Sequence, residues 1–182
     1  MLGVPVRKEN KHKSCRFCKW LTDGDDWKRG EGKERCLEIT DNEDFVAVLE
    51  KFPRIEGEIL IISKKCGEEA YDDSSEISKF GEDERDNFCR IIGDTTELMK
   101  RNLHAEKVYL YSFCEHWEEE EVQYVDKLTS EHLHIHLLPR YRGMRHRELA
   151  AEKIFSIPSK ELSSSMLHAV KYELLGRKPN KT

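Results

Sequence analysis

Apolar and polar positions alternate most cleanly in EHLHIHLLPRYRG (131–143). In an extended chain Leu133, Ile135 and Leu137 face one side and His132, His134 and His136 the other. Pro139 has no amide hydrogen to give a ladder and predicts the end of this strand. Upstream, CLEITDNEDFVAVLE (36–50) reads as two strands around a polar turn at Asp41–Asp44. FPRIEG (52–57) is a bend, and EILIISKK (58–65) an apolar run of strand length, so these pieces predict an antiparallel meander. In DERDNFCRIIGDTTELMKRNL (83–103), Phe88, Ile91, Ile92, Thr95, Leu98 and Met99 recur at helical spacing despite Gly93. KVYLYSFC (107–114) is aromatic and β-branched, which predicts a strand. SKELSSSMLHAVKYELLG (159–176) predicts a second helix, capped by Ser159, burying Leu162, Met166, Val170 and Leu174, and stopped by Gly176.

This order of strands, helix, strand, strand and helix predicts an α+β fold with an antiparallel sheet of about five strands, one main helix and a C-terminal helical extension. The expected organisation is a flexible N-terminus over 1–13, one domain over 14–143, and an extension over 144–182 that packs as a helix. DGDDWKRGEGKER (23–35) reads as a loop and EHWEEEEVQYVDKLTS (115–130) as a solvated acidic excursion. No internal repeat is visible.

Composition narrows the class. Of 182 residues, 37% are hydrophobic and 37% charged, which fits a modest core under a heavily charged surface. A formal charge of −5 argues against bulk nucleic-acid binding, although RKENKHK (7–13) and LPRYRGMRHR (138–147) are local basic clusters suited to phosphate. No run is long enough to span a membrane, and the first residues lack the apolar stretch of a signal peptide. Six cysteines without such a signal favour reduced thiols or a metal over disulfides. The expected location is therefore cytoplasmic, with the nucleus open to a eukaryotic chain.

Three histidines on one strand face admit three readings: a polar surface patch, a metal site, or nucleophilic catalysis by an imidazole with a lone pair at neutral pH. The surrounding text discriminates. HLHIHLL (132–138), followed by Pro139-Arg140, resembles the His-φ-His-φ-His-φ-φ signature of the histidine triad (HIT) superfamily of nucleotide hydrolases and transferases. FVAVLEKFPRIEGEILIISKKC (45–66) is similar to that family's upstream half-site, and CRFC (15–18) to the cysteine pair that begins its zinc-containing members.

The resemblance implies a HIT-like fold over 14–143, a homodimer, and a nucleotide substrate. It makes His134 the nucleophile at an α-phosphorus and His136 the group that hydrogen-bonds the phosphate or leaving group. Glu50, three before Pro53, falls where a carboxylate or carboxamide binds ribose hydroxyls. Phe45, Val46 and Ile61 read as core, with the wall of a base pocket as the alternative. A structural zinc would be held by Cys15, Cys18, Cys66 and His132, Cys66 standing where a histidine is usual. No catalytic metal is required by this chemistry, and Cys36, Cys89 and Cys114 read as small buried hydrophobes.

The chain departs from the family pattern twice. The glutamine before the triad reads Leu128 in DKLTSE (126–131), which leaves Thr129 and Ser130 to supply polar contacts to substrate. The family's Gly-His pair is Gly57-Glu58, and a glutamate there would repel a polyphosphate unless it faces away. These changes motivate a rival reading, a nucleotide-binding or scaffold protein with little turnover. A third, in which His132, His134 and His136 hold a catalytic zinc, is weaker because the cysteines already offer zinc a soft site.

Overall fold

The computed structural model describes residues 17, 38–65, 77, 80–112, 133–145, 157, 160 and 162–176. Strand β1 (Glu38–Asp41) runs into β2 (Phe45–Leu49) through a tight turn. The Asn42 side chain closes that turn by accepting from the amides of Asp44 and Phe45 at 3.2 and 2.9 Å. After the bend come β3 (Ile59–Ser63), helix α1 (Glu82–Asn102), β4 (Lys107–Tyr111), β5 (His134–Arg140) and helix α2 (Ser164–Leu174). The sheet is antiparallel in the order β1-β2-β3-β5-β4, an α+β architecture.

Strand parity assigns the two faces of this sheet. Phe45, Ala47 and Leu49 of β2, Ile59 and Ile61 of β3, and Ile135 and Leu137 of β5 share a side by register. That side meets α1: the Phe45 ring lies 5.2 Å from Phe88 and 5.6 Å from Phe80. Helix α1 buries Phe88, Ile91, Thr95 and Met99, one stripe at helical spacing, with Ile92 and Leu98 flanking it. Glu82, Asp83 and Glu84 in its first turn and Lys100 and Arg101 in its last complement the helix dipole. Helix α2 joins the same core through Leu167, Val170 and Leu174, and Asn102 donates to the Leu174 carbonyl at 2.5 Å.

Four local expectations are corrected. Cys89, which reads as a buried hydrophobe in the sequence, is exposed on α1, next to the buried Phe88 rather than on its stripe. Pro139 does not end its strand but lies inside β5, opposite Val108. Leu133 turns its carbonyl to the Ser63 amide, so odd-numbered residues of β5 point their backbone groups at β3. Pairing with β3 ends at Leu137, so the hydrogen that Pro139 lacks would have found no ladder partner there. Helix α2 starts later than its sequence pattern predicts. Its cap is Ser163, whose Oγ accepts from the Met166 amide, rather than Ser159, and Met166 is 47% exposed. The buried stripe is Leu167, Val170 and Leu174 because four-residue steps drift off a face with 3.6 residues per turn. Strand β4 ends at Tyr111, short of the predicted 107–114; residues 113–114 lie outside the described residues. Gly176, at φ +63, does follow the end of α2 as expected.

Gly57 is set by its surroundings. It has φ +85, and an added Cβ would stand 2.7 Å from both the Leu103 side chain and the Tyr141 hydroxyl. Tyr141 donates that hydroxyl to the Glu56 carbonyl at 2.8 Å. Its pKa is pushed up to about 12, chiefly by burial, with the charges of Glu56 and Glu173 adding to it. Gly93 is the opposite case, for a Cβ there meets no described atom within 4 Å. Two substitutions should therefore move stability in opposite directions in urea unfolding. Gly57→Ala should lose about 1–3 kcal/mol, and Gly93→Ala should gain about 1 kcal/mol.

Candidate active site

The other sheet face carries Val46 and Val48, Leu60 and Ile62, His134, His136 and Leu138, and Tyr109 and Tyr111. His134 lies across from Ile62, and His136 sits between Leu60 and Tyr111 in adjacent strands. The two imidazoles meet edge-on with ring centroids 5.3 Å apart. Both are buried, His134 at 5% and His136 at 7% exposure, and the Phe17 ring lies 4.9 Å from that of His134. Of the suggested base-pocket walls, only Val46 shares this face; Phe45 and Ile61 belong to the side packed on α1.

Glu58 immediately precedes β3 and is completely buried. Its Oε1 lies 2.7 Å from His136 Nδ1, its Oε2 accepts from the Arg54 amide at 2.6 Å, and the Arg54 guanidinium approaches Oε1 at 3.4 Å. The glutamate does not turn away from the histidine face: its carboxyl oxygens are engaged there by His136 and by Arg54. It faces His136 and the turn. The Glu58 amide donates to the Ile55 carbonyl and its carbonyl accepts from the Glu50 amide, so its backbone is fixed on both sides.

Glu50 sits at the end of β2 beside this turn, and its Oε1 accepts from the Phe52 amide at 2.8 Å. Tyr111 stands next to His136; burial raises its pKa above the ordinary 10.0, and nearby Tyr109 adds to the shift. Leu138 forms a small second cluster with Ile55, edged by Tyr109, Tyr111, Tyr141, Met144 and Ile157.

At the far end of β3 a polar corner locks the strand. Lys64 pairs with Asp41 at 2.6 Å and donates to the Asn42 carbonyl, while Lys65 reaches Asp44 at 3.0 Å and Glu84 at 3.1 Å. Burial alone would raise the Asp44 pKa. Hydrogen bonds from Asn87 and Lys65, with the charges of Lys65 and Lys64, outweigh it and hold the carboxyl below its ordinary 3.8. The same contact with Asp44, opposed by burial and aided by Glu84, raises Lys65 above 10.5.

The structure thus brings together His134 and His136, and ties the Glu50 amide to the carbonyl of Glu58, the residue whose carboxyl meets His136. Thr129, Ser130, Cys15, Cys18, Cys66 and His132 lie outside the described residues, as does the acidic stretch 115–123. Among the described residues no three His, Cys, Asp or Glu side chains gather as a metal-ligand set would. No described helix is long and apolar enough to cross a membrane. Sequence reasoning missed Phe17 and the partnership of Glu58 with His136. The second was signalled by parity, since Glu58, Leu60 and Ile62 alternate onto the histidine face.

No family model matches the chain, and no curated protein matches it in sequence. Solved structures do match. A HIT-like protein of Bartonella henselae involved in cell-cycle regulation aligns over 88% of this chain and 93% of its own, with 15% identity and a TM-score of 0.56. A hypothetical histidine triad nucleotide-binding protein of Sulfolobus tokodaii gives the same TM-score at 20% identity, covering 88% and 89%. The diadenosine triphosphate hydrolase of Plasmodium falciparum, solved with cyclomarin A, aligns over 91% and 95% at 12% identity and a TM-score of 0.51. A zinc-bound histidine triad protein of Mycobacterium smegmatis aligns over 91% and 98% at 18% identity, with a TM-score of 0.50. The fold of this chain is the HIT-like α+β fold.

Because the Asp44 carboxyl is held below its unfolded value, its contribution to stability is present above about pH 3.8 and is lost as pH falls through the lowered value. Urea unfolding between neutral and acid pH should show this slope in the wild type and less of it in Asp44→Asn.

Proposed function

We propose that this protein is a nucleotide hydrolase or nucleotidyl transferase acting at the α-phosphate of a nucleotide derivative. The observation that carries the reading is the placement of two imidazoles, 5.3 Å apart, side by side on a paired interior strand, with one of them held by a buried carboxylate. A ring nitrogen of His134 attacks the α-phosphorus, and a nitrogen–phosphorus bond forms as the bond to the leaving group breaks. His136, when both its ring nitrogens carry hydrogen, supplies a hydrogen bond or proton from Nε2 to the departing group, whose charge would otherwise build up in a dry site. Water, or another acceptor, then gives up a proton to His136 and attacks the phosphorus, and the nitrogen–phosphorus bond breaks to release His134.

Glu50 is proposed to accept ribose hydroxyls with a carboxylate already ordered by the Phe52 amide. Thr129 and Ser130 are proposed as the polar contacts to substrate in place of the family's glutamine. The substrate class is a phosphoramidate, a dinucleoside polyphosphate or an adenylylated adduct. The shared fold with a diadenosine triphosphate hydrolase supports the second of these. Burial of His134 beneath Phe17 favours the alternative, a nucleotide-binding or scaffold protein with little turnover. AMP release from adenosine phosphoramidates and diadenosine polyphosphates decides between them. His134→Ala should lower kcat/KM by about a thousand-fold or more, about 4 kcal/mol of transition-state stabilisation. Nucleotide affinity with no turnover in either protein would favour the binding module.

The same reading includes a structural zinc held by Cys15, Cys18, Cys66 and His132. Described neighbours of these positions support it. Phe17, between the first two cysteines, packs on His134; Ser63, three before Cys66, donates its amide to Leu133, next to His132. When bound, zinc would supply a four-coordinate cross-link and no reactive position. A reducing cytosol suits the thiolates this needs. Elemental analysis should find one zinc per chain in the wild type and in His134→Ala, and loss of it in Cys18→Ser with a lowered thermal midpoint.

Self-association is proposed through β4. Among the described residues it is an edge strand, and Leu110 on it is 50% exposed. Light scattering should give twice the chain mass, and Leu110→Lys should reduce it to the single chain.

A further inference from the structure

Glu58 is a departure from the family pattern and the most buried charged group described, and its contacts say what it is for. A neutral imidazole carries its hydrogen on either nitrogen, and a neighbour decides which. For His136 the neighbour is Glu58 Oε1, 2.7 Å from Nδ1. Glu58 acts here as an acceptor on both oxygens. The Arg54 amide on Oε2 and the Arg54 guanidinium on Oε1 are groups that can only donate. An accepting carboxylate requires Nδ1 of His136 to bear the hydrogen. The opposite tautomer would set lone pair against lone pair where no water screens them.

We infer that Glu58 is a positioning residue that fixes the tautomer and ring orientation of His136, so that Nε2 is the nitrogen through which this ring addresses a substrate. The support behind Glu58 is as definite as the contact itself. Arg54 lies four residues before it in the same bend, the Ile55 carbonyl holds its amide, and the Glu50 amide holds its carbonyl. Gly57 passes through φ +85 to bring the chain into that position. The carboxylate cannot swing toward the phosphate without giving up the Arg54 amide and His136 together.

The tautomer is a property of the folded protein alone. Its catalytic consequence rests on the function proposed above, in which His136 serves the leaving group. The test uses the full-length protein labelled with 15N in its histidine rings, with His136→Gln identifying the signals of His136. In the pH range where the ring is neutral, the wild type should show a protonated Nδ1 and a bare Nε2. Glu58→Met, close in volume but unable to accept, should shift the proton to Nε2. It should also cut kcat by about a hundred-fold with KM little changed, because the form of the ring that gives a proton from Nε2 is the imidazolium, and that form needs an acceptor for its Nδ1 hydrogen. Glu58→Gln, whose carboxamide oxygen can still accept, should keep the Nδ1 proton and restore most of kcat.

A wild-type spectrum with the proton on Nε2 overturns the inference, as does an unchanged tautomer in a folded Glu58→Met. If Glu58→Met does not fold, the wild-type spectrum and the Glu58→Gln pair decide it. The expected spectra in a wild type that turns over none of the nucleotides support the tautomer assignment and overturn the hydrolase reading instead.

Discussion

Everything in this molecule leans on the pairing of Ile59–Ile62 with His134–Leu137. Strand β5 lies between β3 and β4, paired to β3 over His134–Leu137 and to β4 over His136–Arg140, so neither side chain series can turn without breaking a ladder. One series, Ile135 and Leu137, is consumed by the core against α1. The other is committed to the opposite face whatever the chemistry there. A slip of one residue would bury imidazoles against Phe45 and deliver leucines to the site. The placement of the histidines and the stability of the core are thus one constraint read on two faces.

The histidine face shows how a buried polar group is made tolerable. Glu58 is engaged on both carboxyl oxygens, by His136 and Arg54 on one and by the Arg54 amide on the other. Removing one member strands the others, which is costlier than never having had them. The corner at Asp44, Lys65, Glu84 and Asn87 does similar work at the other end of β3, but nearer to water, where its ion pairs are screened and its role is to anchor rather than to react. Strand β3 is therefore fixed at one end by surface charge and at the other by a buried carboxylate that reaches the site.

The strands, the main helix and the histidine face were legible in the sequence because each is written as a period, two for β5 and 3.6 for α1. The errors fell where period is silent. Pro139 was misplaced because strand membership depends on which neighbour a backbone faces, and only the register with β3 reveals that. Ser163 took the cap from Ser159 because several serines precede the helix and any of them satisfies the sequence rule. Glu58 could be assigned to a face but not to a partner, since His136 lies 78 positions away along the chain. Motif and spacing proposed His134 and His136 as a pair. Geometry added Phe17 beneath one and a carboxylate behind the other.

The sheet order has a consequence for the chain as it is made. Strand β5 belongs in the interior of the sheet but leaves the ribosome after β1, β2, β3, α1 and β4 have all emerged. Until then β3, with its sequence Ile-Leu-Ile-Ile-Ser, presents an unpaired edge rich in apolar side chains, the kind of surface that recruits strands from other molecules. Leu174 of α2 fills the same core, so that packing waits for residues well beyond β5. A nascent chain that stalls before residue 134 would carry every element of the meander and none of the strand that closes it. Such fragments are natural clients for a chaperone that shields sheet edges, and the histidine strand is the piece whose arrival ends that dependence.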